Sequence, residues 1–437
     1  IDNLTGVYQA HNAGFFGKGI KIGVIDTGIY YLHPALGGCF KQDKEGKPCK
    51  VAFGAGKTPR PAYHYRSKRT SDSHGTHTTG IIAADTRLIT DPAFRPLKDF
   101  IGVAPEATMG MYRVFGCNGA SSEDILAKAI FQALEDKVDI ISFSIGTPGT
   151  YDNSVVATAI RHVVNAGTYF FGAAGNDGGA GFGVGGEPAD VPEAISVASV
   201  DNTDRNTAGT PSSFTSLGLG DDLLISPTIA GIGGHVYSTV SENVVQLDGL
   251  TSAYQDFSGT SMSVPGVAGA AALYLSVKGR DWVFNNGGMD KLRRALTSSA
   301  KPVHIFGRDL LSSVWEQGSG LVSIFDAITA RHETSPAWFA LNDTIRTKPS
   351  YNLTISNHGS EAVTYTLTNV GAALATGKSP DSDQLLNIPI YSANYAVRIC
   401  NERHFPACDL FSVLTCPPLP STHFLVSDRP FCSVRTT

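Results

Sequence analysis

Long apolar runs are missing from this 437-residue chain. No stretch approaches the about 18 uninterrupted apolar residues of a membrane-crossing helix, so none is expected. Blocks of like charge are missing too. Thirty-four Lys and Arg stand against 39 Asp and Glu, a net charge of −5 spread along the chain. Nothing electrostatic therefore points to nucleic acid or an anionic membrane as partner. Internal repeats are absent. No initiating Met and no signal-peptide pattern precede Ile1, as expected of a processed form or a fragment. Cysteine is sparse for the length: Cys39, Cys49, Cys117, Cys400, Cys408, Cys416 and Cys432. Cys39 and Cys49 bracket a short polar loop and form the disulfide candidate if the compartment is oxidising. Cys117, alone after an apolar strand, reads as a buried small hydrophobe.

What is present suits a large soluble core. Apolar residues make up 42% of the chain, and its length predicts two domains. Short β-branched runs at 20–25, 109–115, 138–145, 168–174 and 195–200 read as buried strands. Helical periods lie between or after them, at 122–136, 153–166, 261–278 and 289–299. In the first of these, Ile125, Ala129, Ile130, Ala133 and Leu134 share one face, with Ser122 placed to cap it. Alternating strands and helices predict an α/β fold: a doubly wound, mostly parallel sheet with helices on both faces. After about residue 333 the pattern changes. Tyr351, Leu353 and Ile355, then Val363, Tyr365 and Leu367, alternate strictly around NHGS, which predicts a β-hairpin of a separate, partial β-sandwich over 333–397. The Cys- and Pro-rich segment 398–437 receives no regular structure. Sequons occur at Asn3, Asn342 and Asn352.

Four stretches bear on chemistry. VIDTG puts Asp26 at the end of a buried strand, where open α/β sheets gather working groups, although an Asp there also tightens a turn. A paired-aspartate site would need a second D-[ST]-G, and there is none. DSHGTHTTG offers His74 and His77, but with no HExxH, nearby Cys or third His a metal site is disfavoured, and His77 reads as structural. AAGNDGG leads from a strand into Asn176, a residue type equally at home in a simple turn. DFSGTSMSVPGVAG crowds Ser258, Thr260, Ser261 and Ser263 ahead of an Ala/Gly-rich helix, which alone reads as a capped buried helix.

Together and in this order, VIDTG, SHGTHTTG, AAGN and SGTSMSVP resemble the subtilisin-like serine protease family across roughly 10–332. The pattern is nearest to larger secreted fungal members with a fibronectin-III-like domain after the catalytic one. The resemblance implies Ser261 as nucleophile, His74 as general base, Asp26 as its orienting carboxylate, and Asn176 with the Ser261 N–H as oxyanion donors. It implies an extended peptide pairing with Gly119, Ala120 and Ser121 on one side and with Ser144, Ile145 and Gly146 on the other. Ala173, Ala174 and Gly175 form the opposite wall of a roomy, apolar primary pocket. Glu187, near the expected pocket floor, is read as facing solvent rather than selecting basic side chains. The resemblance further implies a secreted monomeric endopeptidase made with an inhibitory propeptide. No cofactor is required, and structural calcium is allowed, although no acidic loop names its ligands.

Two departures stand out. The family's A-P-G ahead of the serine is AGIGG at 230–234, and SFTSLGLG lacks the usual Trp and Pro. The interval from Asn176 to Ser261 is too short for the protease-associated domain of some larger relatives. A non-catalytic binding protein of this fold would be expected to lack one of the four residues. An α/β-hydrolase esterase needs G-x-S-x-G, where this chain has G-T-S-M-S. A sedolisin-type peptidase pairs its serine with Glu and Asp rather than His.

Overall fold

The computed structural model describes residues 2–56, 73–87, 89–116, 119–148, 154–181, 183, 185–202, 208–218, 226–241, 252–339, 351–368, 370, 372–375, 390–392, 398–400, 411–416 and 422–427. Seven parallel strands form the central sheet: β1 (Lys21–Asp26), β2 (Val51–Gly56), β3 (Thr108–Arg113), β4 (Ile140–Phe143), β5 (Tyr169–Ala173), β6 (Ile195–Asp201) and β7 (Ile229–Gly234). Their spatial order is β2-β3-β1-β4-β5-β6-β7, so the winding reverses next to β1. In such sheets ligands collect beyond the carboxyl ends of the strands at that reversal.

The strands are apolar on both sides because both faces are covered. Ile22 and Val24 pack toward helices α1 (His74–Ala83) and α4 (Thr260–Lys278), with Val264, Val267 and Ala271. Ile25 points the other way, to a core of Phe143, Phe170, Ile130 and Ile160. Helices α2 (Glu123–Glu135) and α3 (Val155–Asn165) complete that layer. Ser154 caps α3, accepting from the Ala157 N–H at 3.0 Å. Ser122 does not cap α2 as expected, because its hydroxyl donates instead to the Asp124 carboxylate at 2.6 Å. Helix α4 is apolar on every side. By length and a mean hydropathy of 1.2 it would suit a bilayer, yet 78% of its most apolar window lies inside this domain, as in a core helix.

Strands β2 and β7, unmarked in the sequence reading, are glycine-rich for a packing reason. A Cβ on Gly231 would lie 2.8 Å from the Val267 side chain, and one on Gly233 2.2 Å from Ser263 Oγ. The AGIGG segment is therefore the bed on which α4 lies directly. Two cysteines of the early loop, Cys39 and Cys49, form a disulfide with Cα atoms 5.7 Å apart. Cys117 lies outside the described residues.

The C-terminal strands differ from the hairpin expectation. Tyr351–Asn357 and Val363–Thr368 are strands, but they do not pair with each other. The first pairs antiparallel with His332–Ser335 and Thr422–Ser427, the second with Phe411–Cys416. Asn357 redirects the chain between them: its Oδ1 accepts from the Gly359 N–H at 2.9 Å and its Nδ2 donates to the Glu361 carbonyl at 2.8 Å. Alternation reveals which face a strand buries but not its neighbour. The segment 398–437, read as unassigned, supplies strands 398–400, 411–416 and 422–427 to these sheets, so the pairing crosses the 397/398 division. In the strand His332–Ser335, Glu333 accepts from Lys291 Nζ and, at 3.1 Å, from Arg294 Nε, both on helix α5 (Gly288–Ser298). Asn352 is exposed on its strand. Asn342 lies outside the described residues, as does the side chain of Asn3.

Candidate active site

Asp26 ends β1, fully buried, at the winding reversal. His74 is the first residue of α1. The helix brings it against the aspartate only because Gly75 follows: a Cβ there would lie 2.3 Å from the Gly28 carbonyl oxygen and 3.1 Å from the Asp26 Cβ. His74 Nδ1 is 2.8 and 2.9 Å from the two Asp26 carboxylate oxygens. Oδ1 also accepts from the Thr27 N–H at 2.6 Å, and Oδ2 from the Thr78 hydroxyl at 3.2 Å. Donors on every side fix the carboxylate as an acceptor, so the proton of this contact belongs on Nδ1 and Nε2 is left as the basic nitrogen.

His77, one turn further along α1, is structural. It is buried, stacks on Phe257 at 4.3 Å, and its Nε2 donates to the Gln255 carbonyl at 2.9 Å. Burial pushes its pKa down to about 3, partly opposed by that backbone bond. His33, buried against Tyr254 and Phe94, is lowered to about 4 for the same reason. Both must enter the fold neutral, whereas unfolded chains bind protons near pH 6.5. Folded-state pKa values below the unfolded ones mean stability that is full above pH 6.5 and lost as pH falls toward 4 and 3. Thermal unfolding followed across that window is expected to show a melting temperature that drops as pH falls. The drop should be smaller in His33→Gln than in the parent protein.

The four hydroxyls of the serine segment separate by their partners. Ser258 Oγ accepts from the His235 N–H at 2.9 Å, and Ser263 donates to the Gly231 carbonyl at 3.3 Å. Thr260, fully buried, faces Asn176, which accepts on Oδ1 from the Thr260 N–H at 2.9 Å and the Thr260 hydroxyl at 3.1 Å. That double contact fixes the orientation of the Asn176 side chain. Ser261 is the second residue of α4, where a backbone N–H has no intrahelical acceptor and the helix dipole is positive. Its hydroxyl donates to the Ser144 carbonyl at 3.2 Å.

His74, Ser261 and Asn176 line one cleft of about 380 Å³, with Gly119, Ser144, Ile145, Gly146, Ala173 and Gly175. Of the expected substrate-contacting residues, Ala120, Ser121 and Ala174 are not part of this lining. Ala120 is exposed beside it, and the Ser121 hydroxyl turns inward to the Val114 carbonyl at 3.0 Å. Ala174 is buried, its N–H and carbonyl committed to Val197 and Gly186. Thr27, Phe115, Thr147, Asp177, Thr260 and Gly186 line the cleft without having been anticipated. Phe115 follows an apolar strand end and Thr147 follows Gly146, so proximity in sequence was the available signal. Gly186 reaches the site only through a short antiparallel pairing of 186–187 with 147–148. That pairing sets Glu187 opposite Thr147, outside the cleft lining. Among the described residues no group of three or more His, Cys, Asp or Glu is placed to hold a metal.

The fold and the cleft define a class: a doubly wound α/β protein with a carboxylate–imidazole pair beside a helix-borne serine. The chain belongs to the subtilase family, whose pattern matches residues 17–320. It is 34% identical over 269 residues to the thermostable alkaline protease of Halalkalibacterium halodurans, covering 61% of this chain and 60% of that one. It is 30% identical over 315 residues to the subtilisin of Bacillus pumilus, covering 72% of this chain and 92% of that one. Thermitase of Thermoactinomyces vulgaris is 33% identical over 260 residues, covering 60% of this chain and 76% of thermitase. The chain thus spans about 60% of the length of the alkaline protease it matches.

Proposed function

We propose that the chain is a secreted serine endopeptidase acting through Asp26, His74 and Ser261. The observation that carries this reading is the pairing of buried Asp26 with His74, at 2.8 and 2.9 Å, with His74 opening onto the cleft that also holds Ser261 and Asn176. The printed names of the relatives, an alkaline protease and a subtilisin among them, support it.

In the proposed cycle the Ser261 hydroxyl turns from the Ser144 carbonyl toward His74 Nε2 and gives up its proton as Oγ attacks the peptide carbonyl. The charge that moves to the carbonyl oxygen is met by the Asn176 amide and the Ser261 N–H, both fixed in advance. Asp26 stabilises the imidazolium, which protonates the departing amine as the C–N bond breaks. Water, deprotonated by His74, then cleaves the ester to return Ser261 and release the acid. Ala173 and Gly175 on one side and Ser144, Ile145 and Gly146 on the other wall a pocket that we read as taking apolar side chains with broad preference. The Cys39–Cys49 disulfide supports an oxidising, extracellular setting.

An activated ester of an apolar amino acid tests the reading. A burst of leaving group equal to the enzyme present, followed by slower turnover, is expected of acyl-enzyme chemistry. Linear release with no burst and no dependence on Ser261 would refute it. Asn176→Ala is expected to lower kcat by about a hundredfold or more with little change in KM. That magnitude is the one known for the corresponding subtilisin asparagine, not one derived from this geometry. Steady-state kinetics on a peptide substrate measures it.

A further inference from the structure

The Ser261 carbonyl has a defect built into its helix. The N–H that would bond it in an α-helix belongs to residue 265, and residue 265 is proline, inside α4. A carbonyl in this part-buried setting is costly to leave without a partner. Ser144 answers the defect: its hydroxyl donates to the Ser261 carbonyl at 2.9 Å. Ser144 is 5% exposed and follows directly on the carboxyl end of β4. The same two residues meet a second time, since the Ser261 hydroxyl donates to the Ser144 carbonyl at 3.2 Å. The nucleophile is thus tied by its backbone and by its side chain to one residue of the sheet.

We infer that the Ser144 side chain is a positioning residue for the nucleophile, a role separate from its main-chain place in the substrate cleft and resting on the proposed serine chemistry. Its hydroxyl replaces the helical donor that Pro265 removes and holds the Ser261 backbone at a fixed distance from the carboxyl end of β4. When the Ser261 side chain leaves the Ser144 carbonyl to react, the backbone bond persists, so the alkoxide forms on an anchored residue. Small displacements of a nucleophile are expensive in rate.

The prediction is a double-mutant cycle. Ser144→Ala is expected to lower kcat and the rate of fluorophosphonate inactivation about tenfold to thirtyfold, with KM changed less than about threefold. Pro265→Ala restores an N–H that can bond the Ser261 carbonyl, so in that background Ser144→Ala should cost less than about threefold. An equal loss in both backgrounds overturns the inference, as does a Ser144→Ala protein that fails to fold, which would place the residue's role in the core. A residue acting only on substrate binding would move KM instead, and that result overturns it too. Failure of the parent protein to react with the fluorophosphonate would strike the serine chemistry itself, a separate outcome read on the parent alone.

Discussion

His74→Ala is expected to remove about a millionfold of kcat, the scale known for loss of the nucleophile or base in subtilisin. The structural reason is that no second base is at hand. Among the described residues His74 is the only imidazole lining the cleft. His77 is one turn away in sequence but is buried in a stack on Phe257 with its Nε2 engaged, and its lowered pKa, about 3, makes it a poor proton acceptor. The substitution should leave the fold intact. Alanine is favourable in a helix, and the His74 side chain, 28% exposed, contributes little to the core. Peptide hydrolysis measured beside thermal unfolding separates the two effects. A near-normal melting temperature with activity reduced to the oxyanion-dependent residue is the expected pair of results.

Asp26→Asn is expected to cost about ten-thousandfold while preserving the geometry, the magnitude established for the same change in chymotrypsin-type triads. The hydrogen bonds here show why. The Thr27 N–H and the Thr78 hydroxyl both donate to the aspartate. The Thr27 N–H, which bonds Oδ1, cannot reverse, so an asparagine must put its carbonyl oxygen there. Its NH2 then takes the Oδ2 place, where the Thr78 hydroxyl can rotate to accept, and faces His74 Nδ1. That nitrogen then has to accept, so the imidazole proton is forced onto Nε2, where the serine proton must go. The ring stays in place in the wrong tautomer. Steady-state kcat on a peptide substrate checks this, and a loss below about tenfold would mean that Asp26 does not set the tautomer.

How much of this was legible in the sequence depends on what each element asks of its residues. Strands β1, β4, β5 and β6 are runs of β-branched and aromatic residues because they are buried on both faces, and that leaves a plain mark. Strands β2 and β7 leave a faint one. Gly54 meets the Met111 carbonyl, and Gly231 and Gly233 meet α4, so close packing there removed the side chains that announce a strand. The residues that meet at the cleft were legible because their neighbours are constrained: Gly75 by the approach to Gly28, Thr260 by the Asn176 amide. The partnership of Ser144 with Ser261 was not legible. Pro265 marked the missing donor, but the residue that replaces it lies 117 positions from Ser261, and only the fold brings it there. The C-terminal strands show the same limit, since Tyr351–Asn357 finds its partners at 332–335 and 422–427 rather than across the nearest turn.

The proposed chemistry stands or falls on Ser261 as a nucleophile activated by His74. Incubation of the folded protein with a fluorophosphonate, followed by peptide mapping by mass spectrometry, tests it most directly. One adduct is expected, on Ser261, formed in the parent protein and absent from His74→Ala over the same time. A folded protein that takes no label, or takes it on Ser258 or Ser263, would rule out Ser261 as the nucleophile.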